Sequence, residues 1–321
     1  MTDSPKVFEA GFIESIEQSY PCSVLKLLLQ DHTTNNNIIW ADDEYEALGN
    51  GYLGKDEITV ASITGLNSGI IKPRIAKEYE KQSQRTRAHA EVFTPSWLCN
   101  QMNNDIDSEW FGRSNVFNTQ AKDSWTTNQD NVDFPNQKSK SWTDYIDCRK
   151  LEITCGEAPF ICSRYDTVSG DEIPVKDRIG FLDRKLRIVS ENTQSCEDWA
   201  TWAMRALEST YGYEYQGDNL VIARINVLQT LVEHMQKRWD KQPSDSEIKH
   251  AARIIAWNIW QMDGLKGTVP SDKPVGATEQ MSIFEISEEP NEWQAPFCKI
   301  FDWRARKSQT YVSMKNEGIG L

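Results

Sequence analysis

The side chains able to do chemistry fall in short groupings, and most of these fail on spacing. Gly49-Asn-Gly51-Tyr-Leu-Gly54 has the letters of a dinucleotide-binding loop. Such a loop works only between a buried strand and a helix, because pyrophosphate sits on helix N-terminal amides. Here it follows an acidic run and precedes Lys55-Asp-Glu-Ile-Thr, so the segment reads as a turn. Magnesium-dependent nuclease chemistry needs acids and a lysine gathered around one ion. Asp183-Arg-Lys185 and Glu78-Tyr-Glu80-Lys81 come nearest, and neither has the strand-borne acid, acid-x-lysine arrangement. The four histidines (32, 89, 234 and 250) share no ligand spacing, and His234 and His250 read as surface residues of helices. Seven cysteines without a C-x-x-C pair argue against a disulfide framework and a structural zinc site, so no metal is expected.

A more coherent signal is four elements in a fixed order. Glu91-Val-Phe93-Thr94-Pro95 is a turn into a helix beginning near Trp97. Glu152-Ile-Thr154-Cys-Gly156-Glu157-Ala158 follows a strand that starts at Leu151, and small residues there let the backbone approach a ligand. Tyr211-Gly-Tyr-Glu214 closes a second strand, with Asn219 and Ala223-Arg-Ile-Asn226 on the next helix. Asn258-Ile-Trp-Gln-Met-Asp263-Gly264 closes a third. The elements that must position these groups are also legible. Ser195-Cys-Glu-Asp198 and Ser244-Asp-Ser-Glu247 are capping-box starts. Val221, Ile225, Leu228, Val232 and Met235 recur at helical spacing. Strand, helix, strand, helix, helix, strand predicts an open, mostly parallel α/β sheet.

Over residues 85–265 the chain resembles the S-adenosylmethionine-dependent DNA amino-methyltransferases of restriction–modification systems, the modification-subunit type that methylates adenine N6. The resemblance implies a Rossmann-like methyltransferase core with helices on both faces of the sheet. It also implies S-adenosyl-L-methionine as cofactor, with Phe93, Thr94 and Pro95 at its methionine end. The turn residues Glu152, Thr154, Gly156, Glu157 and Ala158 would approach it, Glu214 would hold the ribose hydroxyls, and Asp263 would accept from the adenine amino group. The family turn reads D/E-P-x-x-G-x-G; Ile153 stands in place of its proline and Ala158 in place of its last glycine. The acceptor motif [D/N/S]-P-P-[Y/F/W], which holds the target amine and stacks on the flipped base, occurs nowhere in the chain. Asp302 and Trp303, at the end of the expected fourth strand Phe297–Trp303, are the nearest catalytic substitutes; Asp42 to Tyr45 is a weaker one. The core is expected to be truncated after that strand and completed by the N-terminal residues, a second copy or a separate subunit.

Composition narrows the partners. With 35 basic against 48 acidic side chains the net charge is −13, which disfavours gripping nucleic acid or a membrane over the whole surface. No run approaches membrane-spanning length, and the N-terminus lacks signal-peptide order, so a cytoplasmic location is expected. Three regions are expected: a mixed segment 1–88, a core 89–270 with a polar insertion at 105–146, and a C-terminal segment 271–321. Lys72 to Arg87 carries six basic residues against Glu78 and Glu80 and predicts a helix after Pro73. Trp199 and Trp202 read as core, whereas Trp110, Trp125 and Trp142 in the insertion are candidates for stacking on nucleic acid. Arg304, Arg306, Lys307 and Lys315 form a basic cluster beside Trp303. The expected function is the methylation subunit of a restriction–modification or phage-defence system, acting on DNA with a partner. The alternatives are a catalytically silent relative serving as a cofactor- or DNA-binding scaffold, and a nuclease subunit.

Overall fold

The computed structural model describes residues 12–77, 94–270 and 294–316. The N-terminal part supplies α1 (Phe12–Ser19), α2 (Cys22–Leu29) and the single turn α3 (Val60–Ile63). Next come α4 (Ser96–Phe111), the antiparallel hairpin β1 (Asn118–Gln120) and β2 (Trp125–Thr127), and α5 (Trp142–Asp147). The centre runs β3 (Lys150–Glu152), α6 (Phe181–Asn192), α7 (Cys196–Glu208), β4 (Thr210–Glu214), α8 (Gly217–Trp239), α9 (Asp245–Asn258) and β5 (Ile259–Gln261). A second hairpin, β6 (Lys299–Asp302) and β7 (Lys307–Thr310), leads into α10 (Tyr311–Asn316).

Local chemistry explains the helix starts. The Ser195 and Ser244 hydroxyls accept from the amides of Asp198 and Glu247, and Glu247 returns a bond to the Ser244 amide. In α8 the apolar residues from Leu220 to Met235 are buried nearly all round, which makes it the central helix of the core.

The sheet is parallel, with order β3-β4-β5. Both steps go the same way across the sheet. Right-handed crossovers therefore place both sets of connecting helices on one face. Glu152, Gly212, Ile259 and Gln261 alternate with Leu151, Tyr211, Tyr213 and Trp260, which point to the opposite face. That second face is covered by Cys298, just before β6, by Ile300 of β6 and by Met314 of α10. The fold is thus mixed α/β around three parallel strands. Two expectations are corrected here. Lys299–Asp302 turns back on itself as an antiparallel hairpin over the sheet face and pairs with β7 rather than extending the sheet beside β3. The longer helices accordingly do not flank both faces, because nothing among the described residues reverses the strand order.

Three further readings change. His234 is buried at 4 % exposure, with its Nε2 3.0 Å from Asp183 Oδ1. Residues 105–146 pack as the end of α4, a hairpin and α5, with Phe117, Tyr145 and Ile146 in the core. Their tryptophans are occupied by protein: Lys140 Nζ lies 4.3 Å over Trp110, Trp125 donates to the Asp177 carbonyl, and Trp142 meets Trp202 edge-on. The basic segment begins with a 3-10 turn, Arg74–Ala76; its continuation beyond residue 77 lies outside the described residues. No described helix is long and apolar enough to cross a membrane.

The N-terminal part is locked onto the sheet by a backbone approach at the start of α8. The Gly217 amide donates to Trp40 O, and a Cβ on Gly217 would lie 2.0 Å from Ile39 O. Gly217→Ala should therefore destabilise the protein by about 1–3 kcal/mol, as overpacking against backbone does. Urea unfolding at constant m-value checks this; an unchanged midpoint would show that the two segments are not held in this contact.

Candidate functional site

In open parallel sheets ligands bind beyond the carboxyl ends of the strands. Here that end is built from the turn after β3, the tip of β4 and the segment after β5. The turn is unusual in its backbone: Thr154 (φ +46°), Gly156 (φ +52°) and Ala158 (φ +67°) are all left-handed. Ala158 thus keeps a glycine-type conformation at the position where a glycine was looked for. Ile153 and Thr154 project outward, with Ile153 62 % exposed, whereas Gly156 is half-buried.

Glu214 and the turn are in direct contact. The Gly156 amide donates to Glu214 Oε2 at 2.7 Å, and Oε1 accepts from the amides of Tyr215 and Gln216. Glu152 accepts from the amides of Phe160 and Ile161 at 3.3 and 3.0 Å. Both carboxyls are 7 % exposed, and neither forms an ion pair among the described residues. Burial pushes the Glu214 carboxyl above its ordinary range against the pull of the three amides. It pushes Glu152 well above that range, the charge of Glu214 adding to the effect. The carboxyl end thus concentrates two buried acids that only backbone dipoles offset.

The other expected residues divide into those nearby and those elsewhere. Glu157 is buried, accepting from Arg74 N at 2.5 Å and from the Tyr165 hydroxyl at 2.6 Å. Thr94 and Pro95 are tied to the same loop: Thr167 Oγ1 donates to Thr94 O, and Asp166 accepts from Ser96 N at 2.7 Å. Phe93 lies outside the described residues. Asp263 follows β5 and accepts from the amides of Leu265 and Lys266, an Asx turn that shapes the third strand's exit.

Asp302 and Trp303 are at the other end of the strands. Asp302 pairs with Arg149, immediately before β3, at 3.0 Å and caps the hairpin turn through the amides of Arg304 and Ala305. Trp303 Nε1 donates to Asn258, immediately before β5. The five-residue β4 separates the two ends by about 13 Å at roughly 3.3 Å per residue. Methyl transfer needs reacting atoms about 3–3.5 Å apart. The expected acceptor pair and the expected cofactor turn therefore do not share one site.

Sequence reasoning missed Arg74, Tyr165, Asp166 and Gln261. Gln261 bonds both Ile39 N and Ile39 O and so fixes the N-terminal wall of the site. No local pattern marks these residues, since each acts on a partner far along the chain. The acid-and-lysine groupings do not assemble a nuclease centre: Asp183, Arg184 and Lys185 are buried in α6, and Glu78 to Lys81 lie outside the described residues. Among the described residues no group of three or more His, Cys, Asp or Glu could hold a metal ion. No family model, no curated protein and no solved structure matches the chain.

Two outcomes follow from this geometry. A left-handed residue other than glycine costs about 1–2 kcal/mol, and glycine loses about 0.5–1 kcal/mol through backbone entropy. Thr154→Gly, at an exposed site, should stabilise by about 0.5–1 kcal/mol, whereas Ala158→Gly also loses a buried methyl and should be near neutral. Denaturant unfolding of both variants distinguishes them, and destabilisation by Thr154→Gly would refute the strained turn. A carboxyl whose pKa is raised on folding binds its proton more tightly in the native state. Its contribution to stability is then greatest below the unfolded pKa and falls as pH rises toward the folded one. Unfolding free energies measured upward from about pH 4 should fall less steeply for Glu214→Gln than for the parent protein; parallel curves would mean that Glu214 is not the buried acid described.

Proposed function

We propose that this chain is the cofactor-binding, methyltransferase-like subunit of a DNA-modification system. It binds S-adenosyl-L-methionine at the carboxyl end of β3 and β4 on a half-Rossmann core, and a partner supplies the element that receives the adenine. The observation that carries the reading is the contact of Gly156 N with Glu214 across the tips of two adjacent parallel strands. It places an acid at the end of the second strand against the small-residue turn after the first, the relation that the family resemblance implies. The polarity fits as well. S-adenosylmethionine carries ribose hydroxyls and an ammonium group, and the two buried carboxyls offer acceptor oxygens for such donors.

In binding, Glu214 would exchange an amide partner for ribose hydroxyls, and the exposed Ile153 and half-exposed Tyr215 would cover the adenine. Asp302 and Trp303 stand at the opposite end of the sheet and take no part in holding the cofactor. That separation, with the absence of the acceptor tetrapeptide, favours a chain that does not transfer methyl by itself over a self-sufficient enzyme. A silent scaffold that binds the same cofactor is the second reading, and it differs only in whether a partner restores transfer.

Isothermal titration with S-adenosylmethionine tests the site. We expect micromolar binding, a loss of at least about tenfold in Glu214→Gln (~1.4 kcal/mol), and unchanged affinity in Asp302→Asn. Absence of binding by the folded parent protein would overturn the proposal. Methyl incorporation into unmodified DNA by the purified chain alone would overturn the division of labour.

A further inference from the structure

A second concave site lies on the helical side of the fold, and its chemistry is opposite to that of the strand tips. It is a cleft of about 190 Å³ between α6, the last turns of α8, the β1–β2 hairpin and the 3-10 turn Val175–Asp177. Its lining is cationic in a protein whose net charge is −13: Lys176, Arg178, Arg184, Arg187, Lys237 and Arg238 all contribute. Lys237 and Arg238 alone would prove little, because the last turn of a helix favours cations through its dipole.

The buried wall is more informative. Arg184 is 1 % exposed; its Nη atoms bind Asp107, Asn100 and Asn104, and its Nε is buried without a hydrogen-bond partner. Arg178 is 8 % exposed; it donates to Ile173 O and pairs with Glu233, and its Nη1 is likewise buried and unpartnered. A buried donor without an acceptor is costly, and native proteins rarely keep two in one wall. The acids behind this wall are also overdrawn. Asp107 is shared between Arg184 and Lys150, and Glu233 between Arg178 and Arg164. Lys176 and Lys237 stand exposed at the rim and form no ion pair among the described residues. The one carboxylate in the lining, Asp183, is turned to Ser163 and to His234 Nε2. A carboxylate only accepts, so Nε2 carries the proton there, and Nδ1 makes no hydrogen bond among the described residues.

We propose that this cleft binds a phosphate group, with Arg178 and Arg184 forming its floor and Lys176 and Lys237 its rim. Guanidinium forks and lysine ammoniums are the usual partners of phosphate oxygens. The group could belong to a free phosphomonoester or to the backbone of DNA, and the two sources share this chemistry. The site is remote from the strand tips, so it stands whether or not the adenosyl reading does.

His234 offers a local readout. Proton–carbon NMR resolves the four histidines, and the signal lost in His234→Gln identifies the one in the cleft. At constant ionic strength, inorganic phosphate should shift that signal saturably. Lys176→Glu combined with Lys237→Glu, both on the surface, should weaken the response about tenfold or more without changing the thermal midpoint. If duplex DNA shifts the same signal, with a salt slope that drops by about one for each lysine replaced, the source is the nucleic-acid backbone. If phosphate and a nucleoside monophosphate act but DNA does not, the source is a small phosphomonoester. No saturable shift with any of the three, or the same response in the double variant, would overturn the proposal.

Discussion

One buried guanidinium holds the halves of the protein in register. Arg224, in the middle of α8, is fully buried and donates to Leu28 O, Gln30 O, Ala256 O and Ile259 O at 2.5–3.2 Å. The first two carbonyls end α2, the third lies in the last turn of α9, and the fourth begins β5. Carbonyls at helix ends have no intrahelical donor, and here one side chain satisfies those of two helices at once. Burial lowers its pKa to about 10, so it remains a cation at neutral pH. Without it, four buried acceptors would go unmet, each at about 1–3 kcal/mol. The consequence reaches the candidate site, because the end of α2 sets the path of Ile38 to Trp40 across the tip of the sheet. Gln261 then bonds Ile39 on both its amide and its carbonyl, and Gly217 accepts the close approach.

A second buried cluster does the same for the first strand. Asp107 on α4 receives Lys150 from β3, Arg184 from α6 and the Tyr145 hydroxyl from α5, at 2.6–2.7 Å. The paired cations hold its carboxyl below the ordinary range despite complete burial. Four elements thus meet at one carboxylate, and the start of β3 cannot shift without breaking them. Charge is distributed unevenly as a result. At the carboxyl ends of the strands Glu152 and Glu214 are held by backbone amides, while between α6 and α8 the cations outnumber the acids they share.

The parts of the fold legible in the sequence are those whose cause is local. Ser195 and Ser244 announce helices because the cap and its partner lie three residues apart, and the apolar stripe from Val221 to Met235 announces α8. Glu214 reaches the Gly156 turn because β4 runs two residues beyond Gly212, the partner of the last residue of β3. Helix α6 was not. Asp183, Arg184 and Lys185 read in sequence as an acid-and-lysine grouping, yet all three are buried and bonded to Ser163, Asp107 and Ser209, partners spread from residue 107 to residue 209. His234 misleads for the same reason, its partner Asp183 lying one helix away in the core. Phe297 to Trp303 has the apolar texture of an inner strand. That texture does not say whether it extends a sheet or covers one, and the choice is made by Tyr211, Tyr213 and Trp260 on a face that the connecting helices do not cover.

Strand order then limits what the strand-tip site can do alone. Because the sheet steps only from β3 to β4 to β5, the turn after β3 lies at the sheet's margin, with protein on its β4 side and no further strand among the described residues on the other. A ligand crevice in a doubly wound sheet forms where the order reverses, between strands whose helices lie on opposite faces. Among the described residues only one wall of such a crevice is present. Under the proposed reading, a cofactor resting on Gly156 and Glu214 would present its reactive sulfonium past β3, away from the hairpin that carries Asp302. Whatever binds the acceptor base must then approach from that open side. On that reading, the topology that leaves Asp302 and Trp303 capping and bracing the sheet's far end also requires the acceptor to be held by an element other than this hairpin.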